Sequence, residues 1–95
     1  MATDRITSDA QALFDRGQQN FQARDYPEAV ECFTRAIALR PDVAAGYRYR
    51  AKALLELGRR TDALNDLDRA IRLKPDEPAL YAERAEVLFR QKAYP

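Results

Sequence analysis

The 95-residue sequence contains no histidine, a single serine (Ser8), a single cysteine (Cys32) and three glycines. Without histidine, and with one serine, the serine–histidine and cysteine–histidine pairs of hydrolytic and acyl-transfer enzymes cannot be assembled. One cysteine excludes an intrachain disulfide and any cysteine-cluster zinc site, and points to a reducing compartment. There is no glycine-rich phosphate-binding loop. No apolar run approaches the ~20 residues needed to span a bilayer. The start, Met1 to Ala10, is polar and charged, without the apolar stretch of a secretory signal. Sixteen basic residues nearly cancel fifteen acidic ones, so neither nucleic acid nor an anionic membrane is expected as the main partner. These absences predict a soluble cytoplasmic protein that is not an enzyme and needs no metal or cofactor.

What the chain does have is a fixed period. Arg35-Ala36-Ile37-x-Leu39-x-Pro41-Asp42 returns 34 residues later as Arg69-Ala70-Ile71-x-Leu73-x-Pro75-Asp76. Tyr47-x-x-Arg50-Ala51-x-x-Leu54-Leu55 returns at the same spacing as Tyr81-x-x-Arg84-Ala85-x-x-Leu88-Phe89. Tyr26-Pro27 echoes two periods on as Tyr94-Pro95. A period of this size marks a solenoid, whose units stack because none can bury its apolar face alone.

Within each period the apolar spacing is helical. Ser8, followed by Gln11, has the form of a capping box opening a helix over about 9–23, with Ile6 as a staple and residues 1–5 loose. Asp25-Tyr26-Pro27-Glu28 restarts the chain as a second helix that runs to about Leu39 and stops before Pro41. Asp42 caps a third helix ending before Gly58, which suits a left-handed terminus. A fourth covers about 61–73, and a fifth opens at Asp76 and Pro78 and ends near Lys92. Links this short make neighbouring helices antiparallel. Glu31 with Arg35, Asp68 with Arg72, and Glu86 with Arg90 are i,i+4 pairs on exposed faces, each worth about 0.2–0.5 kcal/mol.

These residues resemble the tetratricopeptide repeat family, whose unit is a 34-residue helix–turn–helix. Leu13, Gly17, Tyr26, Ala29, Phe33, Ala36 and Pro41 fall on its signature positions in a first unit, 10–43. Tyr47, Ala51, Gly58, Ala63, Leu67, Ala70 and Pro75 do so in a second, 44–77, where Gly58 stands at the turn that Arg24 occupies in the first. A third unit, 78–95, carries Tyr81 and Ala85 and is truncated; residues 1–9 form an N-terminal extension expected to be partly disordered. Asn20 departs from the pattern where an apolar residue is expected, and Arg60 where Tyr26 supplies an aromatic. The resemblance implies an all-α fold, a right-handed α-solenoid of antiparallel helix pairs with about two and a half units and five helices. Gly17, Ala51 and Ala85, with Ala29, Ala36, Ala63 and Ala70 opposite, allow close helix approach, and Phe33 and Leu67 fill the space between units.

The first helix of each unit carries two stripes. One repeats in kind, as stacking requires: Leu13, Gly17, Asn20; Tyr47, Ala51, Leu54; Tyr81, Ala85, Leu88. Its neighbour changes from unit to unit: Phe14, Gln18, Phe21; Arg48, Lys52, Leu55; Ala82, Glu86, Phe89. In the family this second stripe lines a concave groove that holds a peptide. It would offer an aromatic pocket at Phe14 and Phe21, a basic centre at Arg48 and Lys52, and an apolar end at Phe89. A ligand with an apolar anchor and an acidic residue about one repeat away suits it. Phe21, Leu55 and Phe89 are equally well read as completing the inter-helix core, and Arg48 and Lys52 as plain solvated surface.

Some members of the family clamp the C-terminal carboxylate of chaperones with lysine, asparagine and arginine. Those positions map here to Phe14, Gln18, Tyr49, Ala79 and Glu83, and starting one repeat later gives Arg48, Lys52 and Glu83. A carboxylate at Glu83 repels that ligand, so this partner class is not expected. Asp62, Asp66 and Asp68 form the densest acidic cluster, but Asp68 points away from the other two, and arginines 59, 69 and 72 lie near enough to neutralise it. Cys32 is a partly buried filler on the outer helix. The leading expectation is a non-catalytic protein- or peptide-binding scaffold module. The alternative is a structural repeat fragment that self-assembles without a separate ligand. Self-association would run through the fifth helix, with Tyr81, Val87, Leu88 and Phe89 exposed.

Overall fold

A computed structural model describes residues 2–93, with the side chains of residues 4–90; the Tyr94-Pro95 echo lies outside it. The chain forms α1 (Ala2–Gln22), α2 (Tyr26–Leu39), α3 (Ala44–Glu56), α4 (Arg60–Leu73) and α5 (Pro78–Ala93), with no strand among the described residues. Sequence neighbours pack against each other, and α1 also touches α3. Helices α1, α3 and α5 thus make one layer and α2 and α4 the other, as an all-α solenoid of antiparallel pairs requires.

Of the small residues of the repeat pattern, Gly17, Ala29, Ala36, Ala51, Ala63 and Ala70 are buried, whereas Ala85 on α5 is exposed, since no following helix covers it among the described residues. Ala53 is buried too, and around them close the fully buried Phe33, Leu67 and Leu80. At Gly17 the helices approach too closely for a side chain without a shift, because a β-carbon there would stand 2.6 Å from Phe33 Cε1. The echo of Tyr47 in Tyr81 has a bonding reason: Tyr47 Oη donates to the Pro41 carbonyl at 3.0 Å and Tyr81 Oη to that of Pro75 at 2.7 Å. Each tyrosine ties its helix to the turn before it.

The turns within units repeat as well. Arg24 (φ 63°) and Gly58 (φ 78°) both adopt the left-handed conformation. The Asp25 N–H donates to the Asn20 carbonyl at 2.8 Å and the Arg59 N–H to that of Leu54 at 2.9 Å, the closing bond of a Schellman terminus. Asn20, polar at an expected apolar position, donates from Nδ2 to Cys32 Sγ at 3.4 Å. Cys32 itself is buried rather than partly exposed.

Helix starts depart from expectation for tertiary reasons. Helix α1 begins at Ala2, so Ser8 lies inside it rather than capping it, and Ile6 is 42% exposed rather than stapled. The added turns are engaged by the residue that closes α2: Arg40 Nη1 donates to Thr7 Oγ1 at 3.1 Å, and Ala10 is buried. Asp42 does not cap α3, whose N-cap is Val43; its carboxylate accepts from Arg40 Nε and Nη2 at 3.1 and 3.2 Å. Asp25 stands at the N-cap of α2 without a capping side-chain bond. Of the expected i,i+4 pairs Glu86–Arg90 forms, whereas Asp68 is taken by Arg84 of the next helix at 3.3 Å.

The open face of α5 is narrower than expected. Val87 is buried at 3%, against the expectation of exposure, because it faces the core formed with α4; Tyr81, Leu88 and Phe89 are exposed.

Candidate functional site

The variable stripe of α1, α3 and α5 is not a uniform groove. Phe14 is half-buried, its ring centroid 5.6 Å from Phe33 and 5.2 Å from Tyr49, the latter perpendicular. Phe21 sits edge-on to Tyr26 at 5.3 Å. Both pack against the Ala29–Phe33–Ala53 cluster, and Leu55 packs against the larger core beside it. Phe21 and Leu55 therefore follow the core reading. Phe89 does the opposite: it is 71% exposed, next to the exposed Ala82 and Glu86. Gln18 is half-buried on α1.

The two cations at the centre behave differently. Arg48 Nε donates to Glu83 Oε1 at 2.8 Å and Nη2 bonds the same oxygen, joining α3 to α5. The hydrogen bond that Arg48 donates to Glu83 raises the Arg48 pKa above its ordinary value, and partial burial opposes it. Glu83 Oε2 is buried with no hydrogen-bond partner among the described residues. Arg48 is thus a neutralised strut rather than half of a basic centre. Lys52 forms no ion pair among the described residues; its Nζ lies 5.0 Å from the centroid of the Tyr49 ring. Tyr49 is the hub that pattern reading passed over: it meets Phe14 from α1 and carries Lys52 and Arg48 on α3. A cation held against an aromatic face is attracted by the ring's quadrupole but has no counter-charge there to cancel it.

A second feature lies at the head of the same stripe. Thr7, Gln11 and Phe14 of α1, Ala36 of α2, Arg40 just after it, and Ala45 and Gly46 at the start of α3 surround a mostly apolar cleft of about 120 Å³. Thr7, Gln11, Phe14, Gln18 and Phe21 follow one helical stripe at spacings of four and three. That continuation was the available signal; it is recognisable only once α1 is known to begin at Ala2.

The acidic cluster is fully committed to arginines. Asp62 pairs with Arg59, Asp66 with Arg50 and Asp68 with Arg84, so Arg69 and Arg72 are not the neutralising partners. Asp66 is buried, its two oxygens accepting from Arg50 Nη2 at 2.7 Å and Nε at 2.8 Å. Among the described residues no three of His, Cys, Asp and Glu converge as a metal site.

Comparison with known proteins agrees with this geometry. The chain is 41% identical over 59 residues to human small glutamine-rich tetratricopeptide repeat-containing protein beta, covering 62% of this chain and 19% of that one. It spans about a fifth or less of the length of such relatives. Among solved structures, the second TPR of Spaghetti (RPAP3) bound to HSP90 peptide SRMEEVD superposes with a TM-score of 0.89 at 28% identity, covering 97% of this chain and 84% of that one. The TPR2B domain of yeast Sti1 in its pHsp70 complex gives 0.87 at 31% identity, with 92% and 70% covered. The "TPR repeat" profile matches residues 51–92. With the "Tetratricopeptide repeat" profile matching residues 14–64, more than half of the sequence, the chain belongs to the tetratricopeptide repeat family.

Proposed function

We propose that this domain is a non-catalytic scaffold module that binds a short segment of a protein partner along the inner layer, over Phe14, Gln18, Tyr49 and Lys52. The observation that carries this is Lys52, without an ion pair among the described residues, seated on the Tyr49 ring two turns along α3 from an open apolar cleft. Charge and apolar surface stand together there, as peptide recognition needs. The relatives support the reading, since solved neighbours hold HSP90 and HSP70 peptides. The ligand differs from a clamped chaperone C-terminus, because Phe14, Tyr49, Ala79 and Glu83 replace the clamp's polar side chains. The units are taken as 10–43, 44–77 and 78–95 after an N-terminal extension, and the setting as cytoplasmic.

Phe14 packs on Phe33, and Arg48 holds Glu83, so substituting either would disturb the fold. Lys52→Glu is the cleaner perturbation. A displayed library of random ten-residue peptides is selected on the immobilised wild-type domain. Selected peptides are expected to shift the amide resonances of Gln18, Tyr49 and Lys52, and to lose binding to Lys52→Glu. No enrichment, or shifts confined to α2 and α4, would overturn the assignment.

A second reading is favoured by the face of α5. Tyr81, Leu88 and Phe89 are 41%, 48% and 71% exposed, on a helix whose counterpart α3 is covered on the same stripe. A second copy meeting it antiparallel would bury these side chains. A 16-residue helix is about 24 Å long, too short to bury the roughly 800 Å² per partner of a stable interface. The association is therefore weak, with a midpoint in the tens to hundreds of micromolar. Sedimentation equilibrium should detect it and Leu88→Glu remove it; monomer throughout that range would sink the idea.

A further inference from the structure

We propose that the cleft at the head of the groove is an anchor subsite for one aliphatic side chain of an extended peptide, read together with an acidic side chain about three residues away at Lys52. The inference rests on the peptide-groove reading above and says what that groove selects. The cleft exists because small residues meet there: Ala36 from α2, Ala10 from α1, and Ala45 and Gly46 where α3 begins. Gly46 lies so close to the Ile37 side chain that a β-carbon would stand 2.9 Å from its Cγ1, so a larger residue there would crowd Ile37. The lining is mostly apolar and the space, about 120 Å³, is that of a single side chain, which suits Leu, Ile, Val or Met.

The rim offers no competing charge. The Arg40 guanidinium is held by both oxygens of Asp42 and by Thr7 Oγ1, so it is neutralised where it stands. An anion is drawn instead to Lys52, the neighbouring groove cation without a carboxylate partner among the described residues. Phe14 connects the two points, since it lines the cleft and meets Tyr49, on which Lys52 rests. Ala45 and Lys52 are two helical turns apart on α3, or about 10 Å at 1.5 Å per residue. An extended peptide advances about 3.3 Å per residue, so the same span takes about three residues. The expected signature is aliphatic–x–x–Asp/Glu, in either chain direction.

The test uses the random peptide library on three forms of the whole chain. Wild type should enrich an aliphatic residue three positions from an acid. Ala45→Phe, which fills the cleft from its wall, should lose the aliphatic preference and keep the acidic one. Lys52→Glu should do the reverse. For a synthetic peptide with the selected sequence, Leu→Ala at the anchor or Ala45→Phe in the protein should each weaken binding at least tenfold by fluorescence anisotropy. Should Ala45→Phe fail to fold by circular dichroism, Gln11→Trp on the exposed opposite wall supplies the same blockade. Peptides that bind the inner layer without an aliphatic anchor, or an anchor preference that survives both blocking variants, would overturn the subsite while leaving the groove intact. The absence of any groove-binding peptide would defeat the functional reading and this inference with it.

Discussion

Replacing Arg24 with glycine is expected to stabilise the domain. Arg24 and Gly58 stand one 34-residue period apart, at φ 63° and 78°, at the same point of the same turn. In one, the Arg24 N–H donates to the Phe21 carbonyl at 3.0 Å; in the other, the Gly58 N–H donates to that of Leu55, also at 3.0 Å. The left-handed conformation costs an L-residue about 1–2 kcal/mol, because its β-carbon crowds the following carbonyl. Glycine escapes that cost but gives up about 0.5–1 kcal/mol through its freedom in the unfolded chain. Arg24 is exposed, and its side chain enters no ion pair or hydrogen bond among the described residues, so no contact is lost. The net gain for Arg24→Gly is about 0.5–1 kcal/mol, or roughly 2–8 °C in Tm for a domain of this size. Gly58→Arg should lose a similar amount. A β-carbon at Gly58 would meet nothing within 4 Å, so the loss there is one of backbone conformation and not of packing. Thermal and urea unfolding followed by far-ultraviolet circular dichroism would measure both, and the double exchange should return close to wild type. An Arg24→Gly protein that melts lower, or a Gly58→Arg protein that melts unchanged, would refute the reasoning.

Gly17→Ala should destabilise by about 1–2 kcal/mol, although alanine favours helix by about 1 kcal/mol, because Phe33 cannot retreat between Phe14 and Tyr49. Chemical denaturation decides this by its sign. Asp66→Ala should cost about 2–4 kcal/mol by leaving the Arg50 guanidinium half-buried without its carboxylate, lowering Tm by roughly 8 °C or more. The Arg40 hydrogen bond holds the Asp42 carboxyl below its ordinary value of 3.8, so its stabilisation is present above that pH and is lost as pH falls through the depressed value. Wild type and Asp42→Asn should therefore differ at neutral pH and converge in acid, which Tm measured against pH would test. A chelator should leave thermal unfolding unchanged, and a loss of several degrees would reveal a metal site.

The sequence by itself determined the repeat, the five helices and the two-layer order. Those follow from local features: prolines that stop helices, alanines and glycine where helices must approach, and a 34-residue period that places Arg24 and Gly58 in equivalent turns. Tertiary structure decided how the charges pair and where the surface opens. Arg48 and Lys52 are four residues apart on one stripe, yet Glu83 of helix α5 takes the first, while the second rests against the Tyr49 ring without an ion pair among the described residues. Asp42 and Ser8 look alike as caps, but a carboxylate is drawn by an arginine across the turn, and a helix extends where another helix gives it something to touch. Val87 is buried and Phe89 exposed for the same reason: the layer beneath α5, not hydrophobicity, sets which face is covered. Period and propensity are properties of neighbouring residues, whereas pairing and openness depend on groups far apart in the chain, which only the folded arrangement brings together.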